Sequence, residues 1–197
     1  MSGYRRDDGG VVMELLWYLD RASALVAYPA LYMAVLTGIF YNTRTFGLLH
    51  EAARRVHIEV SVFATLVMLL HGLLGLVDSW VVVTGQVPAP NYSMAYFVGG
   101  VVVGVGALFV LLVAVLGFVD PRRFDRPWGP REVHAFAYAG FGFATIHTVA
   151  IGTDVGPMLR TLLLVSLGFL VYVLVLRGLV TAGLLDLTGT LEDAAES

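Results

Sequence analysis

The chain has 197 residues, of which 58% are hydrophobic and 14% charged, with a formal net charge of −3. This composition excludes an ordinary water-soluble domain and predicts an integral membrane protein with little mass outside the lipid. The sequence has no cysteine, which excludes disulfides, thiolate metal sites, iron–sulfur clusters and covalent haem attachment through a CxxCH motif.

Residues 1–21 form a polar N-terminal segment, which we expect to be retained because MSGYRRDDGG is too polar to begin a signal peptide. Within it, VVMELLWYLD predicts either an interfacial helix or an extension of the first membrane span. Five apolar segments follow, at about 22–41, 57–77, 96–119, 133–151 and 161–185. Their lengths suit transmembrane helices, and lipid offers an open backbone no hydrogen bonds. The predicted fold is an all-α, five-helix transmembrane bundle over residues 22–185, followed by an acidic tail at 186–197.

Arginines in the connections predict the orientation of the bundle. The second connection and the stretch GTDVGP after the fourth segment carry none, whereas the first and third connections carry seven: Arg44, Arg54, Arg55, Arg122, Arg123, Arg126 and Arg131. The positive-inside rule therefore places the first and third connections and the tail in the cytoplasm, and the N-terminus outside.

Four histidines lie at two matched depths in the second and fourth segments. His57 and His71 are 14 residues apart, and His134 and His147 are 13 apart. At ~1.5 Å per residue each pair spans roughly 20 Å of helix. Ionisable side chains at such depth usually mark a functional site, and neutral imidazole binds iron well. Shared depth predicts that His57 and His134 bind one haem iron near the inner surface, and His71 and His147 a second near the outer surface. Without cysteine, both haems would be b-type.

Helical geometry leaves one question open in the fourth segment. At ~100° per residue, 14 residues return His71 to within about 40° of His57, whereas 13 residues leave His147 about 140° from His134. Either the segment is locally distorted, or its histidines approach their haems from different sides. Gly140 and Gly142 lie between them and would permit close haem approach or an irregular turn.

Three stretches resemble the ferric reductase-like transmembrane domain in its small prokaryotic members: WYLDRASALVAY, HIEVSVFATLVMLLHGLLGLVDSW and REVHAFAYAGFGFATIHTVAIGTD. The resemblance implies two stacked, bis-histidine haem b groups in a prokaryotic cell membrane, and electron transport as part of a transmembrane oxidoreductase. Larger members continue into a flavin- and NADPH-binding region. Here no GxGxxG fingerprint follows a plausible strand, so we expect a separate flavoprotein donor. The alternative is a haem-bearing subunit or anchor of a respiratory complex that exchanges electrons with quinol. We expect no nucleic-acid partner.

Other polar residues have two readings each. Arg54, Arg55 and Arg131 either bind propionates of the inner haem or only determine topology. Arg21 either flanks the outer haem, pairs with Asp154, or is simply interfacial. His50 is expected in a loop without a partner at its depth, and Tyr138 and the phenylalanines of the fourth segment are expected to pack around a large apolar ring. We expect no catalytic residue, because both irons would have two protein ligands. A third reading assigns the histidines to a non-haem metal or to packing.

Overall fold

A computed structural model describes residues 8–42, 49–86, 93–119, 130–152 and 155–184. The regular structure of this part of the chain is entirely α-helical. Its five helices are α1 (Asp8–Asn42), α2 (Leu49–Val83), α3 (Met94–Val119), α4 (Pro130–Ile151) and α5 (Pro157–Thr181). The all-α prediction is therefore confirmed. The acidic tail and most of the arginine-bearing connections lie outside the described residues.

The helix α1 is one uninterrupted element of 35 residues. It joins VVMELLWYLD to the first apolar segment. VVMELLWYLD is therefore an extension of the span and not a separate interfacial helix. The helix α2 likewise begins at Leu49, well before the apolar stretch predicted from His57. As a result Arg54 and Arg55 lie in the second turn of a helix, and His50 lies in its first turn, where the sequence predicted a loop.

Four of the described helices are long and apolar enough to cross a membrane: the candidate spans are Met13–Tyr41, His50–Val83, Met94–Leu116 and Pro157–Thr181. Many large apolar side chains on them are exposed; Phe109 is 68% exposed and Leu164 67%. Such surfaces indicate a membrane protein, because lipid rather than water would face them. The helix α4 is not among the four, since its two histidines, Arg131 and Glu132 interrupt a short apolar sequence.

The helices pack as two hairpins. The most extensive contacts join α1 to α2 and α3 to α4, and smaller contacts join α1 to α4 and α2 to α3. The four helices therefore form a closed ring in which α2 and α4 occupy opposite corners. The helix α5 packs outside this ring against α1, where the Tyr32 hydroxyl donates to the Ser166 carbonyl at 3.0 Å.

The buried core lies among α1, α3, α4 and α5 and includes Ile39, which has no exposed surface. At the contact of α1 with α4, Tyr28 stacks on Phe141 with ring centroids 5.8 Å apart. Its hydroxyl also hydrogen-bonds Thr145 Oγ1 at 3.0 Å. Gly140 lets α4 approach α3 closely, because a Cβ there would lie 2.6 Å from Cγ of Leu111. Small residues at such contacts are typical of helix packing in membranes.

Candidate cofactor site: two histidine pairs across the bundle

The imidazoles of α2 and α4 meet across the centre of the ring in two pairs. The ring centroids of His57 and His134 are 6.0 Å apart with an interplanar angle of 82°. Those of His71 and His147 are 6.1 Å apart with an angle of 63°. These are the partners that shared depth predicted, and they come from helices at opposite corners of the bundle. The structure thus brings the four predicted ligands together two by two.

Each imidazole is oriented by a backbone carbonyl of the neighbouring helix. His57 Nδ1 lies 2.9 Å from the Ala34 oxygen, and His71 Nδ1 lies 3.2 Å from the Asp20 oxygen, both on α1. On α4, His134 Nδ1 lies 3.3 Å from the Ala114 oxygen, and His147 Nδ1 lies 2.8 Å from the Gly100 oxygen, both on α3. A carbonyl can only accept, so every Nδ1 must be the donor. All four neutral rings therefore keep the lone pair on Nε2.

The two hairpins repeat the same arrangement. The acceptor residues on α1, Asp20 and Ala34, are 14 positions apart, as are Gly100 and Ala114 on α3. On each helix, one acceptor is followed four residues later by a glycine: Ala34 by Gly38, and Gly100 by Gly104. A Cβ on Gly38 would lie 3.0 Å from Cε1 of His57, and a Cβ on Gly104 would lie 2.7 Å from Cε1 of His147. Both glycines therefore leave room for an imidazole against the backbone of the partner helix.

The question about the fourth segment has a structural answer. The helix α4 is α-helical without interruption from Pro130 to Ile151, so the local distortion allowed by the sequence is not present. On a regular helix, residues 13 apart point about 140° away from each other, which favours the alternative that the two histidines approach their sites from different sides. Gly140 packs against Leu111, and a Cβ on Gly142 would meet nothing within 4 Å. Neither glycine produces an irregular turn.

The predicted accessory residues have separate surroundings. Arg54 and Arg55 are exposed and line a surface recess at the start of α2 together with Glu51 and Glu59. The Arg21 guanidinium lies 4.2 Å from the centroid of the Trp17 ring, and it interacts electrostatically with Asp78. The side chain of Arg131, and Asp154, the predicted partner of Arg21, lie outside what the structure describes.

Two aromatic side chains have contacts that the sequence did not predict. The Tyr138 hydroxyl accepts a hydrogen bond from Arg177 Nη1 of α5 at 3.3 Å, so its polar end is held at the contact of α4 with α5. His50 packs against the Tyr41 ring, with centroids 4.9 Å apart.

Asp20 is the residue of this site that sequence reasoning missed. Its Oδ1 lies 3.0 Å from His71 Nδ1, and the two side chains are 18% and 25% exposed. The available signal was a carboxylate immediately before a long apolar run, a costly position for a charge in a membrane helix.

The fold and the site define a class: a helical membrane protein with two cross-bundle histidine pairs. The family described as a domain of unknown function, DUF8596, matches residues 15–154. The chain belongs to this family. The matched range contains all four histidines and their four backbone acceptors, whereas α5 lies beyond it. No curated protein matches the chain, and no solved structure matches it.

Proposed function

We propose that this protein is a di-haem b-type cytochrome that carries electrons across a membrane. The observation that supports the proposal is the common state of the four histidines. Each donates through Nδ1 to a carbonyl, which leaves the Nε2 lone pair available for a metal, and the rings lie opposite one another in pairs. With metal–nitrogen bonds of about 2 Å and roughly half a ring on each side, two imidazoles on one iron have centroids about 6 Å apart. The spacings of 6.0 and 6.1 Å fit this arrangement.

The number of protein ligands favours haem over a bare metal ion. Zinc and similar ions usually take three or four protein ligands. Within the residues that the structure describes, no group of three or more histidine, cysteine, aspartate or glutamate side chains could hold an ion. A haem iron needs only axial ligands from the protein, because the porphyrin supplies the rest. Two imidazoles per site are therefore sufficient for haem and too few for a typical structural zinc site.

The chain's own residues would orient and insulate the two sites. The histidines would hold the irons, and the carbonyls of α1 and α3 would fix the planes and tautomers of the rings. When bound, haem supplies a carrier that gains and loses one electron reversibly. The two histidines of one helix are 13 or 14 positions apart, which separates the two sites by roughly 20 Å along the bundle. Two sites at different depths would thus connect the two sides of a membrane, with α4 crossing it beside α3.

The resemblance to the ferric reductase-like transmembrane domain supports the same assignment. On this proposal the protein lies in a prokaryotic cell membrane, with its arginine-bearing connections in the cytoplasm. A separate flavoprotein, or quinol within a respiratory assembly, would be the electron donor. Arg54 and Arg55 stand one turn or less before His57, where they are placed to interact with propionates of the haem at that depth.

Haem content of histidine variants tests the proposal. The purified protein should contain two haems per chain in a pyridine haemochrome assay and show the sharp α and β bands of a low-spin cytochrome after reduction by dithionite. His57→Ala and His134→Ala should each remove mainly one haem, and His71→Ala and His147→Ala mainly the other.

His50→Ala is the matched control, because His50 lies on α2 outside both pairs. This variant should keep both haems. A protein that contains no haem, or four ligand variants that all keep full haem content, would contradict the proposal.

A further inference from the structure

One buried polar atom is unexplained by a symmetric pair of haem sites. Oδ1 of Asp20 is buried and has no hydrogen-bond partner of its own among the described residues. It nevertheless lies 3.0 Å from His71 Nδ1, whose hydrogen bond goes to the Asp20 carbonyl at 3.2 Å. Desolvating an unpaired carboxylate oxygen inside a membrane protein is costly. A carboxylate kept at this position therefore indicates a role for its charge.

The other three imidazoles face neutral acceptors. The Nδ1 atoms of His134 and His147 lie at hydrogen-bond distance from the carbonyl oxygens of Ala114 and Gly100. His57 Nδ1 has the Ala34 carbonyl and, at 3.5 Å, the Ser61 hydroxyl. His71 thus has a carboxylate as well as a carbonyl beside its Nδ1.

Further charge at the same end is also net negative. Asp78, near the end of α2, interacts electrostatically with both Asp20 and Arg21. A second carboxylate therefore lies within electrostatic reach of Asp20. A negative charge beside Nδ1–H increases the electron density on Nε2, which stabilises an oxidised iron more than a reduced one.

We propose that Asp20 is a positioning residue that makes the two sites inequivalent by lowering the reduction potential at the His71–His147 pair. This inference rests on the proposed function, because it concerns haem held by that pair. The site of lower potential would then lie at the Asp20 end of the bundle.

Redox titration of the haem-loaded, full-length protein tests the inference. Asp20→Asn should shift one of the two components to a more positive midpoint potential and leave the other unchanged. Glu59→Gln is the matched control: it removes one carboxylate from an exposed position two residues after His57, and both potentials should remain unchanged. In a His134→Ala background, Asp20→Asn should shift the remaining haem, whereas in a His147→Ala background it should not.

A spectroscopic readout separates the charge effect from simple misfolding. The ferric electron paramagnetic resonance signal of one site should change in Asp20→Asn, and Asp20→Glu should restore both the signal and the potential. If Asp20→Asn loses haem, the redox titration is repeated with Asp78→Asn. A smaller positive shift in the midpoint potential of the haem at the His71–His147 pair supports the inference, and unchanged potentials overturn it. Full haem loading with unchanged potentials in Asp20→Asn would also overturn it while leaving the proposed function intact. Absence of haem from the unaltered protein would instead contradict the proposed function.

Discussion

Four helical carbonyls in this molecule accept a hydrogen bond from an imidazole in addition to those from their own helix. A carbonyl within an α-helix accepts the N–H of the residue four positions later, and it can accept further donors. At Ala34 and Gly100 an imidazole is such an additional donor, and the residue four positions later is Gly38 or Gly104. The missing Cβ lets the imidazole reach a carbonyl that a side chain would otherwise cover. The glycine is therefore part of the ligand's support.

Gly104→Ala should disrupt the His71–His147 pair selectively. The new Cβ would lie 2.7 Å from both Cε1 and Nδ1 of His147, so the ring must leave its acceptor and its partner. We expect haem content to fall from two per chain toward one, with the loss confined to the site that His71→Ala also removes.

Gly106→Ala is the control on the same helix, since a Cβ there meets nothing within 4 Å. It should keep both haems and, if anything, favour the helix slightly. Equal haem loss in the two variants would show that helix α3, and not the space beside His147, is responsible.

The histidine partners could be predicted from the sequence because depth in a helix follows from residue number alone. The acceptors could not, because a backbone carbonyl is present at every position and its use depends on the neighbouring helix. The role of Asp20 could not be predicted for a related reason. Its charge is visible in the sequence, but its distance from His71, 51 residues away, depends on how α1 packs on α2.

At the scale of elements, hydropathy located the parts of the helices that lipid would cover, but it did not locate the ends of the helices. Each of the five predicted segments corresponds to one helix, yet α1 and α2 begin about 14 and 8 residues earlier than predicted. The reason is that VVMELLWYLD and LHEAARRV combine helix-forming residues with charges, so they continue a helix beyond the apolar part. The helix α4 shows the opposite limit, since its two histidines reduce the apolar character by which a span is recognised.

Phe141 should be the residue that most strongly joins α4 to α1. It is 6% exposed, lies about halfway between His134 and His147, and packs against Tyr28 and Tyr32. Replacing it with alanine would leave a cavity at this contact, at a cost of about 3 kcal/mol. We expect Phe141→Ala to lower the thermal midpoint measured by loss of the haem absorption band.

Phe143→Ala provides the comparison, because Phe143 lies two residues further along α4 and is 42% exposed. Its midpoint should stay close to that of the unaltered protein. A larger decrease for Phe143→Ala than for Phe141→Ala would be incompatible with the packing described here.

For the whole molecule, the arrangement of the helices and their orientation in a membrane rest on different evidence. The ring of α1 to α4 follows from contacts, whereas orientation depends on arginines in connections that lie mainly outside the described residues. The chain offers a direct measurement because it has no native cysteine.

Cysteine labelling in intact cells should give opposite results for the second and third connections. A cysteine at Ser93 should react with a membrane-impermeant reagent, and a cysteine at Phe124 should react only after permeabilisation, because the third connection is rich in arginine. The reverse pattern would invert the orientation and exchange which haem is nearer the cytoplasm.

The equal 14-residue spacing of acceptors on α1 and α3 has an evolutionary consequence. Both hairpins present two carbonyls from a first helix to two histidines of a second, and α2 and α4 run in the same direction. A pseudo-twofold axis parallel to the helices would relate two hairpins with these matching contacts. Duplication and fusion of one ancestral hairpin would produce this relation, and a symmetric dimer of that ancestor would already have contained both histidine pairs. Asp20 and Gly100 hold equivalent positions in the two hairpins, as the acceptors for His71 and His147. The carboxylate of Asp20 has no equivalent at Gly100, and at this position the two halves would have diverged.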